Sequence, residues 1–161
     1  MKKLTVMVPC YNEEKGITKV ISKIPRAKLK ALGYEVEVLV IDNNSKDRTT
    51  EVAKKAGARV VFEGKQGKGH AIRKGVKSIT TDTDLVVMLD GDDTYDPREM
   101  LRLIEPLDSN FCDVVIGSRL GGKIKEGSMT MFNRTGNWFF TFLVRMFYHG
   151  NVTDVCTGYF A

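Results

Sequence analysis

Leu85-Val86-Val87-Met88-Leu89-Asp90-Gly91-Asp92-Asp93 runs five apolar residues straight into three carboxylates, with one glycine among them. A short, wholly apolar stretch bounded by turn residues reads as a strand buried on both faces, the kind found in a parallel sheet. Working outward, similar runs recur at Leu4 to Val8, Val36 to Ile41, Arg59 to Phe62 and Asp113 to Ile116, which gives five expected strands. Between them Glu14 to Ile24, Arg48 to Ala56, Gly69 to Ile79 and Pro97 to Leu107 carry helical spacing, with Pro97 suited to a first helical turn. The alternation predicts an α/β domain, a mainly parallel sheet with helices on both faces. After Ser118 the pattern changes. Leu120 to Met131 is rich in Gly, Lys and Ser and reads as a long loop, and Trp138 to Tyr148 is strongly aromatic. Phe160-Ala161 closes the chain with no helix or polar tail, which reads as the end of a fragment.

A chain of 161 residues can bury one core, and 42% hydrophobic with 28% charged content places it among soluble globular domains. The net charge of +5 favours anionic partners such as phosphates, nucleotides or an acidic membrane surface. The 25 Lys and Arg residues are scattered and form no recognition motif, which argues against nucleic acid. Cys10, Cys112 and Cys156 are odd in number and lack CxxC spacing, so neither a disulfide framework nor a thiolate zinc site is expected and a reducing, cytoplasmic compartment fits. The apolar run after Met1-Lys2-Lys3 is too short for the core of a signal peptide and reads as a buried strand. No run of about twenty apolar residues is present, so membrane contact, if any, is peripheral within this chain.

Ligands of open α/β sheets bind beyond the carboxyl ends of the strands, so polar clusters there carry the most weight. The fourth strand delivers Asp90, Asp92 and Asp93. Close carboxylates repel one another unless a cation compensates, and hard oxygen ligands suit Mg²⁺ or Mn²⁺. The plainer reading is an Asp-rich turn capping the helix near Pro97. Asp42 ends the second strand, where a carboxylate accepts a hydrogen bond from a base N–H or a ribose hydroxyl, or else caps; Ser45 or Asp47 is expected to cap the helix containing Glu51. The first strand runs into Pro9-Cys10-Tyr11-Asn12-Glu13-Glu14, in which Tyr11 suits stacking on a base, and Asn12 and Glu13 suit base or ribose edges or helix capping. Gly67-Lys68-Gly69-His70 precedes a helix whose free N–H groups, with Lys68, suit a phosphate; His70 reads as a surface or cap residue. Neither a Walker sequence nor a dinucleotide fingerprint is present.

Taken in order, Val8-Pro9-Cys10-Tyr11-Asn12-Glu13-Glu14, Val40-Ile41-Asp42-Asn43-Asn44-Ser45, Gly67-Lys68-Gly69, Leu89-Asp90-Gly91-Asp92, Ile116-Gly117-Ser118-Arg119 and Asn133-Arg134 resemble the family 2 glycosyltransferases. Within them the set is similar to the polyprenol-phosphate sugar synthases, the group of dolichol-phosphate mannose synthase. The resemblance implies a GT-A fold over 1–161, with a nucleotide-sugar-binding half at 1–118 and the start of an acceptor-binding part at 119–161. It implies inverting, metal-dependent transfer of a hexose from a UDP- or GDP-sugar to a polyprenyl or dolichyl phosphate. Pro9, Tyr11, Glu13 and Asp42 would hold the nucleoside, Asp90 and Asp92 the metal and sugar phosphate, and Arg119 and Arg134 the lipid phosphate and donor diphosphate.

The sequence departs from the group's Asp-Ala-Asp-Leu-Gln, with Thr94 in place of the glutamine, so a third metal ligand falls to Asp93 unless Asp93 caps the next helix. A phosphate acceptor needs no base, whereas a glycan hydroxyl would need one, for which Asp154 is the candidate; otherwise Asp154 is a structural turn residue. The aromatic run flanked by Arg134 and Arg145 suits an interfacial helix at the cytoplasmic face of a membrane, or a core or oligomer contact. The rival readings are a sugar-1-phosphate nucleotidyltransferase, whose glycine-rich opening is absent after the first strand, and a catalytically inert nucleotide-sugar-binding relative.

Overall fold

The structure is a computed structural model that describes residues 1–118, 131–148 and 152–161, with the side chains of 131–134 outside the description. Four strands, β1 (Lys2–Cys10), β2 (Tyr34–Asp42), β3 (Arg59–Phe62) and β4 (Leu85–Met88), form one sheet in the order β3-β2-β1-β4. Every pairing is parallel. Among the described residues six helices accompany them: α1 (Gly16–Lys23), α2 (Arg26–Ala31), α3 (Thr49–Lys55), α4 (Lys68–Ser78), α5 (Met100–Asp108) and α6 (Met131–Tyr148). The short α2 is the one helix that the sequence reading lacked.

Residues 4–10 of β1 are all buried, as a central parallel strand requires when both faces are covered. Alternation splits them between two cores. Leu4, Val6, Val8 and Cys10 join Ile17, Val20, Leu29 and Met100 on one face, while Met7 meets Leu39, Ile41, Ala71 and Met88 on the other. The second core depends on the approach of α4. A methyl group on Gly75 would press on the side chains of Met7 and Ile41, so glycine lets α4 sit this close to the sheet without displacing them.

The expected fifth strand is corrected by the structure. Residues 113–116 do not join the parallel sheet, because the edge of β4 is taken by the C-terminal residues. Phe160 exchanges backbone hydrogen bonds with Met88 at 2.8 and 3.0 Å, and Ala161 exchanges them with Val115 at 2.8 and 2.9 Å, both antiparallel. The expected loop at 120–131 lies outside the described residues apart from Met131, which opens α6. Pro97 does begin a helical turn, a 3₁₀ turn over Pro97–Glu99 that leads into α5, and the Asp96 carboxylate caps it by accepting from the Arg98 amide at 3.0 Å.

Candidate active site

The parallel register places Cys10 beside Asp42 and Asp42 beside Phe62, so the first three strands end together. Leu89 bonds Met7 and carries Asp90 to the same edge. Hydrogen bonds between side chains and loop backbone then fix that edge. The Asn12 amide donates to the Ser45 hydroxyl at 3.0 Å, and the Lys46 amide donates back to Asn12 Oδ1 at 2.8 Å. The Glu13 amide donates to the Thr49 hydroxyl at 2.7 Å, and the Glu14 amide to Asp47 at 3.1 Å. Asp47, one residue before the N-cap Arg48 of α3, also accepts from the Thr49 amide at 3.0 Å, so it braces the entry to the helix without being the cap expected of Ser45 or Asp47. Ser45 is used instead to clip the neighbouring loop. Asn12 and Asn44 adopt φ of 57° and 64°, a left-handed conformation that asparagine tolerates better than most residues.

Asn43 makes the third clip. Its amide nitrogen donates to the carbonyls of Glu63 and Lys65 at 3.1 and 2.8 Å, and its oxygen accepts from the Gly67 amide at 2.8 Å. This fixes the start of α4, where Gly67 holds a φ of 128°.

The clipped loops surround a cleft of about 490 Å³. Pro9 lines it from β1, Tyr11 and Glu13 from the loop that follows, Asn43 from just beyond β2, Gln66 to Lys68 from the start of α4, and Asp90 to Asp92 from the segment after β4. Partial burial raises the Glu13 carboxyl above its ordinary value, and the negative charges of Asp92, Asp47 and Asp90 add to the rise. Lys68 is the only basic residue among the described residues lining the cleft, and its ammonium lies 2.7 Å from Asp90 Oδ1. Glycines bring these groups together. A Cβ on Gly91 would stand 2.5 Å from Cys10 Sγ, and a Cβ on Gly158 would overlap the Asp90 carboxylate. Tyr95 holds that last segment by accepting from the Gly158 amide at 2.7 Å.

Of the expected site residues, Pro9, Tyr11, Glu13, Lys68, Asp90 and Asp92 share this cleft. Others stand elsewhere. Asn12 is spent on the loop clip. Asp42 is buried and accepts from the Ser45 amide at 2.9 Å and from the Thr50 hydroxyl, so it shapes the loop rather than lining the cleft. Asp93 does not line the cleft and pairs with Lys23, whose ammonium lies 2.6 Å from it. Asp154 is fully buried, accepts from the Asn137 amide group at 2.6 Å, and does not line the cleft. Arg119 and the Arg134 side chain lie outside the described residues. Asn43, Gln66 and Gly158 were absent from the sequence reading of the site. Only the fold brings them to it.

Among the described residues no three carboxylate, imidazole or thiol groups converge into a protein-only metal cage. Asp90 and Asp92, two residues apart at one strand end, suit a hard cation that keeps its remaining positions for water and phosphate oxygens.

The profile of glycosyl transferase family 2 matches residues 5–161. The chain belongs to this family. Glycosyltransferase AglJ of Haloferax volcanii is 36% identical over 154 residues, which cover 96% of this chain and 48% of that protein. The dolichyl-phosphate hexose transferase of the same organism is 38% identical over 157 residues, covering 96% and 64%. The crystal structure of glucosyl-3-phosphoglycerate synthase from Mycobacterium tuberculosis, in complex with Mn²⁺, UDP-glucose and phosphoglyceric acid, superposes with a TM-score of 0.73 at 25% identity, covering 99% of this chain and 56% of that one. The family 2 chain thus has the GT-A fold, and it spans about half the length of the curated relatives it matches.

Proposed function

We propose that this domain transfers a hexose from a nucleoside diphosphate sugar to a polyprenyl phosphate, with a divalent cation, Mg²⁺ or Mn²⁺, held by Asp90 and Asp92. The observation that carries the reading is one cleft lined by the strand-end carboxylates, Tyr11 and the start of α4. The Mn²⁺ and UDP-glucose of the mycobacterial synthase support the cation and favour a UDP-sugar over a GDP-sugar, and the dolichyl-phosphate hexose transferase supports the acceptor.

In this reading the exposed ring of Tyr11 stacks on the base and Glu13 accepts from the base or ribose. The first amides of α4, together with Lys68, face the diphosphate. When bound, the cation neutralises charge on the departing diphosphate. An oxygen of the acceptor phosphate forms the new bond to the anomeric carbon from the face opposite the diphosphate. The bond to the donor oxygen breaks, its electron pair leaves with the nucleoside diphosphate, and the configuration inverts. Phosphate monoesters have a second pKa near 6 and are largely dianionic at neutral pH, so no proton need be removed. That fits the burial of Asp154, the base candidate for a glycan hydroxyl, which does not line the cleft. Arg119 and Arg134 are assigned to the acceptor phosphate and the donor diphosphate.

Such an acceptor places the domain at the cytoplasmic face of a membrane. None of the described helices is long and apolar enough to cross one. Instead, α6 exposes Trp138, Phe139, Phe140 and Phe142 and suits the interface. Calorimetric titration of UDP and GDP, each with Mn²⁺ and with EDTA, tests the donor site. Metal-dependent binding of one nucleotide, weakened by Asp92→Asn, is expected; no binding of either nucleotide to the folded chain would refute the reading.

A further inference from the structure

Lys68 stands where two requirements of the cleft conflict. Its ammonium contacts both oxygens of Asp90, at 2.7 and 3.0 Å, so the only cation among the described lining residues occupies a carboxylate assigned to the metal. The contact is built into the backbone. Lys68 is the first residue of α4, it follows the left-handed Gly67, and the Asn43 side chain holds the Gly67 amide at 2.8 Å. Asp90 is held from its other side, where Gly158 leaves no room for a Cβ. The Lys68 side chain is more than half exposed while Asp90 is the more buried partner, so the lysine can swing away while the carboxylate stays in place.

We propose that Lys68 is an exchangeable counter-ion: it neutralises Asp90 in the empty cleft and makes binding of the divalent cation conditional on the nucleoside diphosphate. The inference rests on the donor-site reading above and adds an order to it. A metal arriving alone must break the Lys68–Asp90 pair and sit beside an ammonium, both unfavourable. A metal arriving with a diphosphate meets a different balance. The phosphate oxygens give Lys68 a new anion at the start of the same helix, so releasing Asp90 costs little. The two ligands are therefore coupled, and by linkage each strengthens the other by the same factor. Loss of the cation on product release then returns Lys68 to Asp90, so that carboxylate keeps a positive partner throughout.

The inference predicts effects of opposite sign from one substitution, which neither a plain surface ion pair nor a plain phosphate ligand would give. Lys68→Gln is expected to bind Mn²⁺ alone about fivefold more tightly than wild type, since the competing cation is gone. The same variant is expected to bind UDP in the presence of Mn²⁺ about tenfold more weakly. Lys77→Gln removes the same charge at the exposed far end of α4 and is expected to change neither. The measurement is Mn²⁺ binding followed by electron paramagnetic resonance and calorimetry, with and without UDP, on chains whose circular dichroism matches wild type. If Lys68→Gln binds Mn²⁺ alone no more tightly than wild type, the exchange is overturned, whatever UDP does. If Lys77→Gln shows the same gain, the effect is net charge and the exchange is again overturned. Failure of UDP and GDP to bind the wild type with Mn²⁺ would instead refute the donor-site reading, so the two failures are read on different arms.

Discussion

Gly158 and Gly16 both press on the end of β4, yet what they press on differs, and so should the outcome of replacing them. A methyl group on Gly158 would meet the Asp90 carboxylate, the movable end of a side chain, whereas one on Gly16 would meet the carbonyl of Gly91 and the Cα of Asp92. Gly158→Ala is therefore expected to fold with little loss of stability while Asp90 turns aside, weakening Mn²⁺-dependent UDP binding by about tenfold. Gly16→Ala has no such escape and is expected to destabilise the domain by about 1–3 kcal/mol. Thermal melts with UDP titrations separate the pair, and a Gly158→Ala chain that binds like wild type would remove Asp90 from the donor site. Cys10 lines the same cleft with opposite consequences for reactivity. Burial pushes its thiol well above the ordinary range, and the charges of Glu13, Asp42 and Asp90 add to the shift, so it stays protonated. Mass mapping after iodoacetamide treatment of the native chain should find the exposed Cys156 modified and Cys10 protected.

Between elements, the pairing of Glu37 with Arg59 ties β2 to β3 and, through a bond from Arg59 to the Ser78 carbonyl at 2.9 Å, to the end of α4. The Arg59 guanidinium holds the Glu37 carboxyl below its usual range, against the opposing effect of burial. A depressed folded value means that the pair stabilises the fold above the unfolded glutamate value of about 4.3 and loses this contribution as pH falls through the folded value. Glu37→Gln should lower the unfolding free energy by about 1 kcal/mol at neutral pH. In urea melts repeated in acid, the gap to wild type should narrow; a constant gap would assign the effect to packing. The elements themselves were mostly legible. Apolar runs marked all four parallel strands, since strands buried on both faces cannot hide their composition. The segment at 113–116 carries the same composition and misled, because which strand takes the edge of β4 is settled by residues more than forty positions later. The site was legible where side chains face the cleft, as with Tyr11, Glu13, Asp90 and Asp92. It was not legible at Asn12 and Asp42, whose polar groups bind backbone from a neighbouring loop, because such partners exist only once the strands stand side by side.

At the scale of the whole molecule, α6 turns the usual arrangement of a surface helix inside out. Asn137 and Thr141 face inward, bonded to Asp154 and to the backbone of Val155 and Cys156, and this polar seam forces the aromatic residues outward. Trp138, Phe139, Phe140, Phe142 and Phe147 are each about half exposed or more. Exposed aromatic residues at this density are what the membrane contact proposed above requires. Under the proposed function, the chain's net charge of +5, with Arg145 in the last turn of α6 and no acidic residue in that helix, would favour an anionic bilayer. Vesicles of phosphatidylcholine with phosphatidylglycerol should therefore sediment the domain better than phosphatidylcholine alone, and salt should weaken the difference. The double substitution Phe139→Ser and Phe142→Ser removes apolar contact without touching the donor cleft, so partitioning should fall by about thirtyfold at an insertion energy of about 1 kcal/mol per ring. UDP binding should be unchanged, because neither ring lines the cleft. If the variant partitions like wild type but loses a dimer seen by analytical ultracentrifugation, the aromatic face serves a second copy, and the polyprenyl phosphate must reach the cleft without help from α6.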